Sequence, residues 1–193
     1  MKKQDIISFF DECAPHWDEE LIRSDEVINK ILDNGGIEKG ARVLDVACGT
    51  GVLFTDYIKR GALVTAVDIL PEMVKIARSK FPEMNIICGD VEEIAFSEEF
   101  DAVMIYNAFP HFPEPERLIK NLSGLLRKGG RLSVAHGMSR EALLKHHNER
   151  ARDVSLELPV AEALAEIFEP YINVDIIISD DNMYQVSGIK NNP

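Results

Sequence analysis

The run Val43-Leu44-Asp45-Val46-Ala47-Cys48-Gly49-Thr50-Gly51 decides how this chain folds. Val43, Leu44 and Val46 make a short apolar stretch, the mark of a strand buried on both faces. Gly49 and Gly51 then let the backbone turn sharply and approach a ligand with no Cβ in the way. A segment of helical period, Gly51–Arg60, follows at once. Main-chain N–H groups at its start are expected to face that ligand. Asp45, near the carboxyl end of the strand, sets a fixed negative charge close to the loop.

The same grammar recurs outward from this point. Runs rich in β-branched residues stand at Arg42–Ala47, Leu63–Asp68, Asn85–Cys88, Phe100–Tyr106 and Arg131–His136. Helical segments lie between them, including Pro71–Lys80 and Pro115–Leu126. Pro71 stands in a first helical turn, where a missing N–H costs nothing. Lys128-Gly129-Gly130 reads as a glycine stop after the third helix. Strand–helix–strand alternation implies a parallel sheet with helices on both faces. The C-terminal end departs from this rule. Ile172–Ser179 and Met183–Ile189 read as strands with only Asp180-Asp181-Asn182 between them, too short for a parallel crossover. They must pair as an antiparallel hairpin, which makes the fold a doubly wound, Rossmann-like α/β sheet, mostly parallel.

The charges at the strand ends narrow the ligand. A dinucleotide fingerprint wants a third glycine where this chain has Phe54. A carboxylate at Asp45 also suits a pyrophosphate poorly. It suits a ligand with a cationic amino group and a sulfonium, and S-adenosylmethionine (AdoMet) has both. Asp68 ends the second run, where a carboxylate can accept both hydroxyls of a ribose. Asp90, in Cys88-Gly89-Asp90-Val91, can accept from the exocyclic amine of an adenine. Each acid also has a turn-capping reading.

The runs D-V-A-C-G-T-G at Asp45–Gly51, V-D-I at Val67–Ile69 and G-D-V at Gly89–Val91 together resemble the class I AdoMet-dependent methyltransferases. The likeness covers about residues 40–190. The stretch Phe9-Phe10-Asp11-Glu12-Cys13-Ala14-Pro15-His16-Trp17-Asp18 is similar to the lead-in of small-molecule methyltransferases of the ubiquinone/menaquinone-biosynthesis type. The resemblance implies a seven-stranded sheet with its last strand antiparallel. It implies that Asp45, Gly49 and Gly51 hold the methionine end of AdoMet, with Ala47 and Cys48 also binding the cofactor. Asp68 would hold the ribose, with Ile69 and Met73 against the nucleoside. Asp90 and Val91 would meet the adenine, and Asn107 would stand beside the reacting centre.

The segment after the fourth strand, Tyr106-Asn107-Ala108-Phe109-Pro110-His111-Phe112, carries the acceptor side. It lacks the N-P-P-Y pattern of methyltransferases acting on exocyclic or amide nitrogens. His111 is the candidate general base, since a histidine titrates near neutrality. It could equally cap the next helix or touch AdoMet through its ring. Methyl transfer needs chiefly alignment and exclusion of water, so a base is not obligatory. Phe109, Phe112 and Trp17 could line an apolar acceptor pocket or serve as core. His136, His146 and His147 do not form a convincing metal set, because adjacent helical residues diverge by about 100°. No metal is expected.

Composition bounds the rest. The chain has 193 residues, 46% hydrophobic and 28% charged, which suits one globular domain. We read residues 1–193 as that domain, with 40–193 the AdoMet-binding core. Residues 1–39 are a helical segment, Gln4–Cys13 and Ser24–Asn34, that either packs on the sheet edge or closes over the site as a lid. No stretch approaches the ~20 apolar residues of a membrane span, and no signal-peptide core is present, so the cytoplasm is expected. Three widely spaced cysteines suggest neither a disulfide framework nor metal ligands. A net charge of −12 disfavours nucleic acid as partner. A small-molecule acceptor is expected, or one reached across the interface of a homodimer. Two rival readings remain: an AdoMet- or nucleoside-binding module without turnover, and a NAD-dependent oxidoreductase, which Phe54 and the terminal hairpin disfavour.

Overall fold

A computed structural model describes residues 2–19 and 21–191. Seven strands form one sheet: β1 (Arg42–Val46), β2 (Leu63–Asp68), β3 (Asn85–Cys88), β4 (Phe100–Tyr106), β5 (Leu126–His136), β6 (Ile172–Ser179) and β7 (Tyr184–Lys190). Their order is β3-β2-β1-β4-β5-β7-β6. β1 pairs in parallel with β2 and β4, and the order reverses across it. β7 runs antiparallel to both β5 and β6, as the short Asp180–Asn182 link requires. The carboxyl ends of β1, β2, β3, β4 and β5 therefore open on one edge, where an open α/β sheet binds its ligand.

Seven helices accompany the sheet: α1 (Lys3–Cys13), α2 (Asp25–Asn34), α3 (Phe54–Arg60), α4 (Pro71–Lys80), α5 (Pro115–Leu125), α6 (Arg140–Arg150) and α7 (Ala161–Phe168). Ser24 and Ser139 start α2 and α6 by accepting from Val27 N and Ala142 N. One sheet face packs against Leu118, Ile119 and Leu122 of α5 and Leu164 and Phe168 of α7. The other packs against Ile28, Ile31 and Leu32 of α2, Phe54 and Tyr57 of α3, and Val74 and Ala77 of α4. Both faces of β1 and β4 are covered, so these strands are buried almost throughout, whereas β6 at the sheet edge alternates exposed and part-buried residues.

Two helix ends differ from the sequence reading. α5 stops at Leu125, because Leu126 is already extended (φ −76°, ψ 140°) and begins β5. The glycines at 129 and 130 thus lie within the extended segment, with Gly129 at φ +73°. α3 begins at Phe54 and not at Gly51, since three turn residues intervene. The N-terminal segment has a defined place. Ile6, Phe10 and Ala14 pack on Leu70 and Met73 of the α4 side and on Ala151 and Val154 beyond α6. Its second helix, α2, packs instead on a sheet face.

Candidate active site

Three tight turns build one end of the site. After β1 the chain passes through positive φ at Ala47 (57°), Gly49 (55°) and Gly51 (85°). A non-glycine in that region is uncommon, and Ala47 is held there by Cys48 N donating to Val67 O at 3.1 Å. A Cβ on Gly49 would meet nothing within 4 Å, so the glycine leaves open space at the loop. A Cβ on Gly51 would collide with the Phe54 ring at 2.6 Å. Gly49 keeps room for a ligand, whereas Gly51 keeps room for the protein's own packing.

The main-chain donors of this loop are used differently from the sequence expectation. Gly49 N donates to Asp68 Oδ2 at 2.7 Å, and Gly51 N donates to Cys48 O at 3.0 Å. The loop is held by Asp68 and by itself, and its helix begins too late to offer these two N–H groups to an anion. A carboxylate where a phosphate binder has free donors agrees with a cationic ligand. Asp68 Oδ1 accepts from Leu70 N at 2.9 Å. Each oxygen of Asp68 thus has one backbone donor and one lone pair to spare, the arrangement a vicinal diol needs.

A cavity joins these turns to the ends of β4 and β5. Ala47, Cys48, Gly49, Asp68, Ile69, Met73, Asp90 and Val91 line one end, and Asn107 and His111 line the other. Asp45 and Gly51 are absent from the lining. Asp45 is 3% exposed and stands behind the loop beside Tyr57. Burial, and then the nearby charge of Asp68, push its carboxyl up to about 8. Burial raises Asp68 to about 6, with the Leu70 and Gly49 N–H groups opposing the rise. Asp45 therefore stands behind the loop and does not face the cavity.

The N-terminal segment closes the cavity from above. Ile6, Phe10, Trp17 and Leu21 line it. Polar bonds fix this wall to the turns after β1, β2 and β3: Thr50 Oγ1 donates to Asp18 at 2.5 Å, Glu72 N to Asp11 at 3.2 Å, and Lys3 Nζ to Asp90. Lys80 also donates to Asp18 at 2.7 Å. Sequence reasoning did not find Lys3 or Thr50 as partners of this wall, because no local pattern marks contacts between residues so far apart in the chain.

At the other end, Asn107 has φ +55°. Its N–H donates to Ala135 O at 2.9 Å, and its Oδ1 accepts from Gly137 N at 3.0 Å. The side chain ties the tips of β4 and β5 together, which makes it a positioning residue at the cavity wall. His111 follows on a 3-10 turn, Phe109–His111. Its Nδ1 lies 3.0 Å from Val154 O, and its ring stacks edge-on with Phe10 at 4.6 Å. Burial lowers its pKa to about 4. It does not cap α5: the residue before that helix, Glu114, makes no side-chain cap.

A sheet of order 3-2-1-4-5-7-6 with a reversed seventh strand, and a glycine turn and two acids at its first three tips, define the Rossmann-like methyltransferase fold. Residues 44–134 match the model of a methyltransferase domain family. Ubiquinone biosynthesis O-methyltransferases are among the relatives. That of Xanthomonas axonopodis pv. citri is 40% identical over 102 residues, 50% of this chain and 43% of that protein. That of Coxiella burnetii is 30% identical over 140 residues, 67% and 60% of the two chains. The chain thus spans about half the length of the curated relatives it matches. Solved structures share the fold over nearly its whole length. A structure of the Haloferax volcanii Trm112 methyltransferase activator with a putative methyltransferase has a TM-score of 0.80 at 18% identity, covering 97% of this chain and 98% of that one. The N-methyltransferase NodS of Bradyrhizobium japonicum, with S-adenosylhomocysteine, has 0.73 at 11%, covering 98% of each. The chain belongs to the class I S-adenosylmethionine-dependent methyltransferases.

Proposed function

We propose that this chain transfers a methyl group from AdoMet to a small acceptor, with an oxygen nucleophile preferred. One observation carries the reading: a single cavity runs from Gly49, Asp68 and Asp90 to Asn107 and His111. The residues fit the cofactor by their chemistry. Asp68 keeps a lone pair on each oxygen for the ribose hydroxyls, and Gly49 leaves the space a side chain would fill. Ile69, Met73 and Val91 offer apolar flanks to a flat base. Bound there, AdoMet supplies a methyl already activated by its sulfonium.

The protein's own work is alignment, dryness and handling of one proton. Phe10, Trp17 and Phe112 exclude water at the His111 end and suit a small acceptor with an apolar body. Residues 2–19 of the N-terminal segment serve as the lid of a single domain, since their three polar ties reach the turns after β1, β2 and β3. His111 is the base: Val154 O can only accept, so the proton sits on Nδ1 and the lone pair on Nε2. Oxygen is preferred because the relatives in hand are O-methyltransferases. The cytoplasm is the working compartment we assign, in keeping with the free thiols of Cys48 and Cys88.

Parallel calorimetric titrations with AdoMet, S-adenosylhomocysteine and NAD test the reading. Binding of the first two and not the third is expected. Binding of NAD alone overturns it, and cofactor binding without product from any oxygen acceptor favours the non-catalytic module.

A further inference from the structure

Three histidines converge beyond the methyl site, and two of them line cavities. His111 lines the cofactor cavity. His147 of α6 has its ring 5.2 Å from that of His111 and lines a second cavity, together with Asn148, Arg152, Ser155 and Glu157. His136, at the end of β5, is 0% exposed, and neither ring nitrogen has a partner among the described residues. Between the two cavities stands a thin partition. His111 Nδ1 faces Val154 O at 3.0 Å and Ser155 Oγ at 3.2 Å. The partition is held in place by Leu156 N, which donates to Pro110 O at 2.7 Å.

One backbone carbonyl is enough to fix the tautomer of His111, so the Ser155 hydroxyl is not needed for that. Its position joins the inner cavity to the outer one. We propose that Ser155 is the proton-exit residue of the reaction, carrying the acceptor's proton from His111 to water in the outer cavity. This rests on the methyl-transfer reading above. The acceptor O–H bond breaks as a bond to Nε2 forms. The Nδ1–H bond breaks as that proton joins Ser155 Oγ, and the hydroxyl's own proton passes to water. No net charge stays on the ring. Afterwards Val154 O favours return of the proton to Nδ1, with water supplying one proton at Nδ1 and removing one at Nε2.

Burial explains why an exit is required. It holds His111 near 4, so the ring gains nothing by keeping a second proton at neutral pH. Burial, and then the charge of His146, hold His147 at about 4 as well, so it is no resting place. His136 has neither a partner nor an opening. A hydroxyl that takes one proton while giving another carries the charge across without storing it.

The test needs no acceptor. Exchange of the His111 Nδ1 proton with water is measured by NMR on the whole protein loaded with S-adenosylhomocysteine, with the ring tautomer read from the nitrogen shifts. Ser155→Ala is expected to keep the Nδ1–H tautomer, held by Val154, and to slow exchange by at least about tenfold, at the lower edge of what a positioned proton-transfer group contributes. Ser155→Thr, which keeps a hydroxyl, is expected to restore the rate. Unchanged exchange in Ser155→Ala overturns the proposal. So does a changed tautomer, or a Thr variant as slow as the Ala variant, since either marks a purely structural serine. Failure of S-adenosylhomocysteine to bind in the titration removes the methyl-transfer reading instead, and the exchange result on the free protein still decides the path.

Discussion

The two ends of the cavity bury ionisable groups to similar depth and bring them to opposite kinds of neutrality. At the tips of β1 and β2, burial pushes two carboxyls up, Asp45 to about 8 and Asp68 to about 6. Beyond the tips of β4 and β5, burial pushes three imidazoles down, His111 and His147 to about 4 and His136 to about 3. The difference lies in what opposes burial. Two backbone N–H groups point at Asp68 and support its charge. His111 instead has a carbonyl and a hydroxyl as neighbours, and only the Val154 carbonyl opposes the fall in its pKa. One end can become negative when a cation arrives, and the other can accept a proton only in passing. That division suits a reaction that consumes a sulfonium and releases a proton.

The sharpest way to break the comparison is at His111. His111→Gln keeps a polar side chain of similar length but cannot take a proton. Turnover with any accepted oxygen nucleophile should fall by roughly 10²–10⁴, the range of a positioned general base, while calorimetric AdoMet affinity stays within a small factor. Equal turnover would leave alignment as the whole mechanism and reduce this end of the cavity to a wall.

The carboxylate end is tested next by Asp68→Ala. The change removes the acceptor of the Gly49 and Leu70 donors as well as the ribose contact. AdoMet affinity should weaken by about 1–3 kcal/mol, the scale of a charge-assisted hydrogen bond. Titration of the variant at neutral pH checks it. An affinity equal to that of the parent would remove Asp68 from the cofactor site.

Asp45 sharpens the comparison through pH. An unfolded aspartate titrates near 3.9, so the folded protein holds a proton that the unfolded chain has lost between that value and about 8. Stability attributable to Asp45 is therefore greatest at low pH and is lost as pH rises toward 8. The loss is at most about 1.4 kcal/mol per pH unit. Asp68 contributes in the same direction only up to about pH 6. Asp45→Asn, which copies the protonated acid, should flatten the decline in the denaturant midpoint between pH 6.5 and 8. An equally steep decline in the variant would place the buried charge elsewhere.

The two ends also differ in how far the sequence exposed them. Gly49, Asp68 and Asp90 stand on short loops after strands, so their meeting in one cavity was readable from local spacing, as was the hairpin from a three-residue link. Even there, Asp45 lies outside the cavity lining: strand alternation puts it close to the loop but says nothing about which side of the loop its carboxyl faces. The His111 end was readable only as one residue. Its partner Ser155 lies 44 residues away and reaches it through a 3-10 turn that no periodicity announces. Lys3 and Asp90 meet across 87 residues for the same reason. Contacts within a strand–turn–helix unit leave a pattern, whereas contacts between units depend on packing.

The smallest predicted effect isolates that packing. His136 sits edge-on to Tyr184 at 5.9 Å, and among the described residues neither of its nitrogens nor the Tyr184 hydroxyl has a partner. An unfolded histidine titrates near 6.5, and burial lowers the folded value to about 3. Its contribution is therefore complete above pH 6.5 and is lost as pH falls toward 3. His136→Phe keeps an aromatic ring against Tyr184 and removes two unpaired polar atoms. At pH 7 the variant should be more stable by about 1 kcal/mol, the low end of the penalty for an unmet buried polar group. Below pH 6.5 the gap should widen, because only the parent must exclude a proton. A less stable variant would mean that water already serves both nitrogens, and that the imidazole end is a hydrated network extending from His111 to β7.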